Sequence, residues 1–276
     1  MTLSARNNIF KGGIAFSSLC LVLCAAASIK TVPVYALMEG EIPRRSAGVF
    51  QAIFVLFSDT QLLAVHCCVA AVVLYSVLTI VLTYYSFEKT QSPEVLFVVF
   101  FAASFAPEVL RLLLPIGRIY EIPLLYTLMA WRIILFARYF GIFSLFVASV
   151  FAAGYQVQRQ TNVILLLIVT ALIIAIGVPI DTQAWDSSLN MVTGYVPMFR
   201  LIEIGTFFIT SIGFFIAAWS RGSRGFIFIG IGSILALLGR TILLSGDTWA
   251  SLIALAFLVL GTWLVCTSLH KIYLWL

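Results

Sequence analysis

Two pairs of opposite charge, Glu108 with Arg111 and Arg200 with Glu203, are spaced three residues apart in stretches otherwise dominated by apolar side chains. On a helix that spacing sets both members on one face, where they can neutralise each other. Further ionisable groups lie inside apolar runs: His66, Arg132, Arg138 and Arg240, with Asp59 at a run's edge. Such groups cost at least about 2.5–3.5 kcal/mol each to insert at bilayer depth, so they face a bundle interior, pair with one another or reach water. Arg111, Arg132, Arg200 and Arg240 outnumber Glu108 and Glu203, and Arg132 and Arg240 have no acidic neighbour at helical spacing. Surplus guanidinium groups present planar, forked donors that suit phosphate or carboxylate. The chemistry expected is binding of an anion, with Glu108, Arg111, Arg132, Arg200, Glu203, Arg240 and His66 as the candidate ligand-binding residues. A purely structural reading competes with it, in which the pairs stitch helices together and terminal arginines snorkel to headgroups.

The elements that must position these groups are membrane-spanning helices. Apolar residues make up 62% of the 276-residue chain, charged residues 10%, and the mean hydropathy is +1.12. A water-soluble domain needs far more polar surface than this. The apolar residues fall in runs of about the 20 residues that a helix needs to cross a bilayer core. Seven such runs are Gln61–Tyr85, Glu94–Leu114, Ile122–Ala153, Thr161–Ile180, Pro197–Trp219, Gly225–Leu244 and Trp249–His270. Breakers separate them, among them Ser92-Pro93, Pro115–Gly117, Gly154, Pro179 and Arg221–Arg224. The fold class expected is an all-α, polytopic transmembrane bundle of eight spans.

Residues 1–11 read as a cytoplasmic N-terminus and 12–29 as the first span. A basic start, an apolar centre and the small run Ala25–Ser28 also describe a cleavable signal peptide, which would leave seven spans. Residues 30–60 read as an external loop in which Ser46–Phe57 forms a short interfacial helix. Residues 61–271 are the seven-helix bundle and 272–276 a tail. No segment is long enough for a soluble domain, which needs at least about 50 residues.

Loop charge sets the orientation. With eight spans and the N-terminus inside, Arg6, Lys11, Lys89, Arg159, Arg221, Arg224 and Lys271 fall on the cytoplasmic side. The loops 181–196 and 245–248 contain no Lys or Arg and fall outside. On that topology the intramembrane charges gather in the outer half of the bilayer. The inner half is almost purely apolar, and Arg138 sits deepest of the set. A bacterial cytoplasmic membrane is the expected location.

Other chemistries find no motif. No H-E-x-x-H frames His66 or His270, and the five cysteines lack the spacing of a zinc set. Gly230-Ile231-Gly232-Ser233 is followed by Ile234 rather than the glycine of a nucleophile turn, and its small residues suit close helix packing instead. No phosphate-binding glycine loop is present, so no nucleotide or other cofactor is expected. The basic residues are scattered, which argues against nucleic acid as a partner. Trp185, Trp249 and Trp275 lie near span ends, as interfacial anchors do. A signal-like segment followed by seven helices is also the layout of bacterial sensory membrane modules, a likeness of architecture alone.

These readings converge on an integral membrane protein with an outward-facing basic intramembrane pocket, acting as a sensor-like or ligand-binding module without an output domain of its own. A transporter or exporter component for an anionic or lipid-like solute is the alternative, though no inverted repeat supports it. An intramembrane lipid-modifying enzyme using His66 with Glu108 or Glu203 is the third. The expected partners are the lipid bilayer, an anionic small molecule or lipid headgroup, and a signalling or transport protein.

Overall fold

The computed structural model describes residues 3–39, 62–88, 90, 92–246 and 248–274. The proposed interfacial helix Ser46–Phe57, Asp59 and Trp275 lie outside the described residues. Within them the chain is an all-α bundle with eight helical segments long and apolar enough to cross a membrane, as its composition predicts. It is a multi-pass membrane protein. Its helices are α1 (Leu3–Glu39), α2 (Leu62–Ser86), α3 (Pro93–Ala103), α4 (Leu113–Ile119), α5 (Leu124–Ala152), α6 (Gln160–Gly177), α7 (Val196–Arg221), α8 (Gly225–Leu244) and α9 (Ile253–Leu274). The described helix α1 runs on to Glu39, beyond the limit of Ile29 read from the sequence.

The bundle is built around α3 and α5. The span that contains α3 is the most enclosed of the eight, and those formed by α6 and α7 bury far less of themselves. Peripheral helices accordingly turn Leu165, Leu166, Ile173, Phe208 and Trp219 outward. In lipid that exposure costs nothing, because acyl chains are as apolar as the side chains they meet. With no hydrophobic drive between the helices, close packing must hold them. α8 and α9 show how: a Cβ on Gly239 would stand 2.5 Å from the Leu258 backbone nitrogen, and one on Gly232 would stand 2.7 Å from the Gly261 carbonyl oxygen. Only glycine lets these two backbones approach so closely.

α1 is joined to the bundle by polar bonds as well as by packing. Arg6 donates to the carbonyls of Phe87 (2.7 Å) and Glu88 (2.8 Å). The Ser17 and Ser76 hydroxyls lie 3.1 Å apart, and Thr31 Oγ1 meets His66 Nε2 at 2.7 Å. His66 is thus buried against α1.

Two departures from regular helix matter for the site. The span beginning at α3 does not continue as one rod: after Ala103 it passes through a turn into a 3-10 segment, Ala106–Leu112, before resuming as α4. Pro107 sits at the start of that segment, where its missing N–H costs no intrahelical bond. The second departure is the loop between α6 and α7. It folds into an antiparallel hairpin, β1 (Ile180–Trp185) with β2 (Met191–Thr193), whose tip turns back into the end of the bundle. Ser188, Leu189, Asn190 and Met191 are buried.

A candidate site under the hairpin

Glu108 lies in the 3-10 segment and is 1% exposed. Arg138, halfway along α5, grips it with two parallel bonds, Nε to Oε1 at 2.7 Å and Nη2 to Oε2 at 2.8 Å. This is the forked arginine–carboxylate geometry that adds orientation to charge. Arg111, three residues along the segment, brings its Nη1 within 3.6 Å of Glu108 Oε2, so the i,i+3 pairing expected from the sequence is present. A carboxylate enclosed by low-dielectric surroundings is therefore flanked by two guanidinium groups.

Most of the remaining donors go to the hairpin and to backbone carbonyls of the helices. Arg138 Nη2 also donates to Asn190 Oδ1 at 2.9 Å. Arg111 donates from Nη2 to the Ser188 carbonyl and from Nη1 to the Leu244 carbonyl, the latter at 3.2 Å. Arg111 Nε is buried with no acceptor. Arg240, on α8, donates to the backbone carbonyl of Arg138 at 2.9 Å. The guanidinium of Arg138 also lies 5.2 Å from the Trp131 ring centroid. Four separate stretches of chain thus meet here: the 3-10 segment, α5, α8 and the hairpin tip.

The tip owes its shape to Asp186. Its Oδ1 accepts from Ser188 N (3.1 Å), Ser188 Oγ (2.8 Å) and Asn190 N (2.8 Å), and its Oδ2 accepts from Asn190 Nδ2 at 3.3 Å. An aspartate bonding backbone N–H groups a few residues on is the usual way such a turn is fixed. Leu189 takes a left-handed conformation, φ 57°, within that turn. The result is a small polar cap that presents Ser188 and Asn190 to the arginines.

The residues singled out from the sequence separate into three groups. Glu108 and Arg111 lie together with Arg138, whose backbone carbonyl Arg240 reaches. Arg132 goes elsewhere: its Nη1 reaches the carbonyls of Ala175 (2.6 Å), Ile176 (2.9 Å) and Val178 (2.5 Å), closing the C-terminal end of α6. A cation there satisfies orphan carbonyls and complements the helix dipole. Arg132 and Arg138 are six residues apart, so at 3.6 residues per turn they point about 120° apart and cannot share a site. Arg200 and Glu203 do not close as a pair: Arg200 is exposed, whereas Glu203 is half-buried and within electrostatic reach of Arg138 and Arg240. His66 faces α1 through its bond to Thr31.

Sequence reading missed the hairpin. Loop charge places Ser188 and Asn190 in an outer loop without basic residues, although the run Asp186-Ser187-Ser188-Leu189-Asn190 carries the turn chemistry that folds it inward. The cavity beside Arg111 has no room for a water, whereas Arg138 keeps 15% of its side-chain surface exposed. Among the described residues no group of three or more His, Cys, Asp or Glu could hold a metal ion. No protein-family model, curated protein or solved structure matches this chain.

Proposed function

We propose that the protein is a membrane-embedded anion-binding module whose site lies under the 180–193 hairpin and opens when the hairpin tip lifts. The observation that carries this reading is the charge balance of the buried network. Arg111 and Arg138 flank the enclosed carboxylate of Glu108 with Arg240 bonded beside them, the next acids, Glu203 and Asp186, act only through space, and guanidinium donors are occupied by the Ser188 carbonyl and the Asn190 amide oxygen. Enclosed guanidinium groups bonded in contact to only one carboxylate are costly. Neutral oxygens of a short surface hairpin satisfy them less well than an anion would, because charge-assisted bonds are about twice as strong as neutral ones. An anion arriving from the hairpin face would exchange with Ser188 and Asn190 for the same donors. Displacement of the hairpin then becomes the signal that a partner protein reads.

The test is thermal unfolding of the purified protein with inorganic phosphate, and separately with a dicarboxylate, at constant ionic strength. A ligand present at 100 times its Kd raises stability by about 2.7 kcal/mol. Arg240→Gln should abolish that rise while the variant stays folded, since Arg240 is bonded through one carbonyl only. Absence of a rise with either anion, or an unchanged rise in Arg240→Gln, would overturn the proposal.

A transporter for an anionic solute is the second reading, and the broken third span favours it. Helices that unwind where they carry charged residues at membrane depth are a recurring feature of transporter binding sites. Flux of the same anions into proteoliposomes separates it from binding alone.

A further inference from the structure

Two cavities meet along α9. One, of about 580 Å³, is a groove between α2 and α9 with walls that are almost wholly apolar. The other, of about 960 Å³, lies beside the turn between α7 and α8 and includes Arg221, Ser223 and Ser268. They share Trp263, Thr267 and Lys271, so they are continuous across one face of α9. The groove runs from Ser86 to Ala71 on α2, fifteen residues, and from Lys271 to Leu255 on α9, sixteen residues, or about 23 Å at 1.5 Å per residue. That is about three-quarters of the ~30 Å hydrocarbon core.

We propose that this face of α9 is a binding site for one anionic phospholipid, with its phosphate between Arg221 and Lys271 and an acyl chain in the groove between α2 and α9. Charge complementarity selects the occupant. The groove is apolar along its length and basic only at the end where Lys271 stands, and basic pockets between transmembrane helices are a known setting for anionic headgroups. Arg221 is partly fixed, with Nη2 donating to the Phe151 carbonyl at 3.2 Å and the guanidinium 5.2 Å from the Phe226 ring centroid. Ser223, Thr267 and Ser268 add hydroxyls around the headgroup position. The apolar groove alone would accept any tail. The two cations distinguish an anionic lipid from a zwitterionic one.

The experiment is native mass spectrometry of the detergent-purified protein exchanged with equal amounts of phosphatidylglycerol and phosphatidylcholine. One phosphatidylglycerol per chain should be retained in at least tenfold preference. The double variant Arg221→Gln/Lys271→Gln should lose the preference, and Leu78→Trp, which fills the groove from an exposed position, should lose the bound lipid. Arg159→Gln, an exposed cation outside both cavities, is the control and should retain it. Excess inorganic phosphate should not displace the lipid, because the chain contributes to binding. Equal retention of the two lipids, an unchanged preference in the double variant, or a change of oligomeric mass in Leu78→Trp with lipid still bound would overturn the proposal. The last result would assign the groove to a second helix.

Discussion

The two halves of the bundle solve the problem of insertion in different ways. On the hairpin side the chain breaks a helix, buries a carboxylate with three arginines and folds a surface loop inward to complete their bonds. On the opposite side the helices run unbroken, and the apolar cluster of Phe87, Phe97, Phe101, Phe151, Phe214 and Phe226 fills the space between them. The acid buried there, Glu94, stands in the first turn of α3, where the helix dipole favours it. Ser92 Oγ (2.6 Å) and Tyr273 Oη (2.8 Å) donate to its Oε2. A single carboxylate at a helix end needs two hydroxyls, whereas three cations at membrane depth need an assembled network. The difference indicates where structure has been spent on something other than stability.

Removing the central acid should therefore have the largest effect. Glu108→Gln leaves the buried Arg111 and the largely enclosed Arg138 without their counter-charge, and breaking a buried pair in this way costs about 3–5 kcal/mol. Glu94→Gln, the matching change in the other half, removes no partner of a cation and should cost about 1 kcal/mol, the worth of an ordinary hydrogen bond. Thermal unfolding of both variants in one detergent checks the contrast. Equal losses would mean that the two halves are not distinct.

Next in size is helix contact. Gly239→Val drives a branched side chain into the Leu258 and Ala254 backbone on α9. Overpacking of this kind costs about 1–3 kcal/mol. Gly205→Val on α7, where a Cβ meets nothing within 4 Å, should change stability far less. The pair separates packing from the general difficulty of placing valine in a helix.

The fold class and the span positions could be read from hydropathy because length and apolarity alone decide which segments cross a bilayer. The site was legible in part. The spacing of Glu108 and Arg111 was correct because 3-10 and α geometry both bring residues three apart together. Arg138 stands out in the sequence only for its depth, and nothing local to it names its partner, since the bond to Glu108 joins two spans. Arg132 misled because a cation serving the end of a neighbouring helix has the same sequence signature as one serving a ligand. The hairpin was missed for a similar reason. Turn residues announce a turn, but whether its tip faces water or the bundle is decided by what lies opposite.

Arg132 offers a smaller test of the boundary of the site. Arg132→Gln should lower stability by about 1–2 kcal/mol through the end of α6, and should leave stabilisation by phosphate unchanged. A loss of the anion response would return Arg132 to the site and join α6 to the hairpin half.

The smallest expected effect concerns orientation, on which the direction of ligand access depends. Ser187 is exposed on the hairpin beside the buried tip, and surface substitutions of this kind usually change stability by less than about 0.5 kcal/mol. The native cysteines make the measurement clean: Cys20, Cys24 and Cys68 are buried, and Cys67 and Cys266 are partly buried within spans. A membrane-impermeant maleimide should therefore react with Ser187→Cys in intact cells and leave the parent chain unmodified. The basis is the lack of Lys and Arg in this loop against Arg221 and Arg224 in the turn at the far side. Labelling that requires permeabilised cells would invert the bundle. The arginine network would then face the cytoplasm, its ligand would be an intracellular anion, and the phospholipid site on α9 would belong to the outer leaflet.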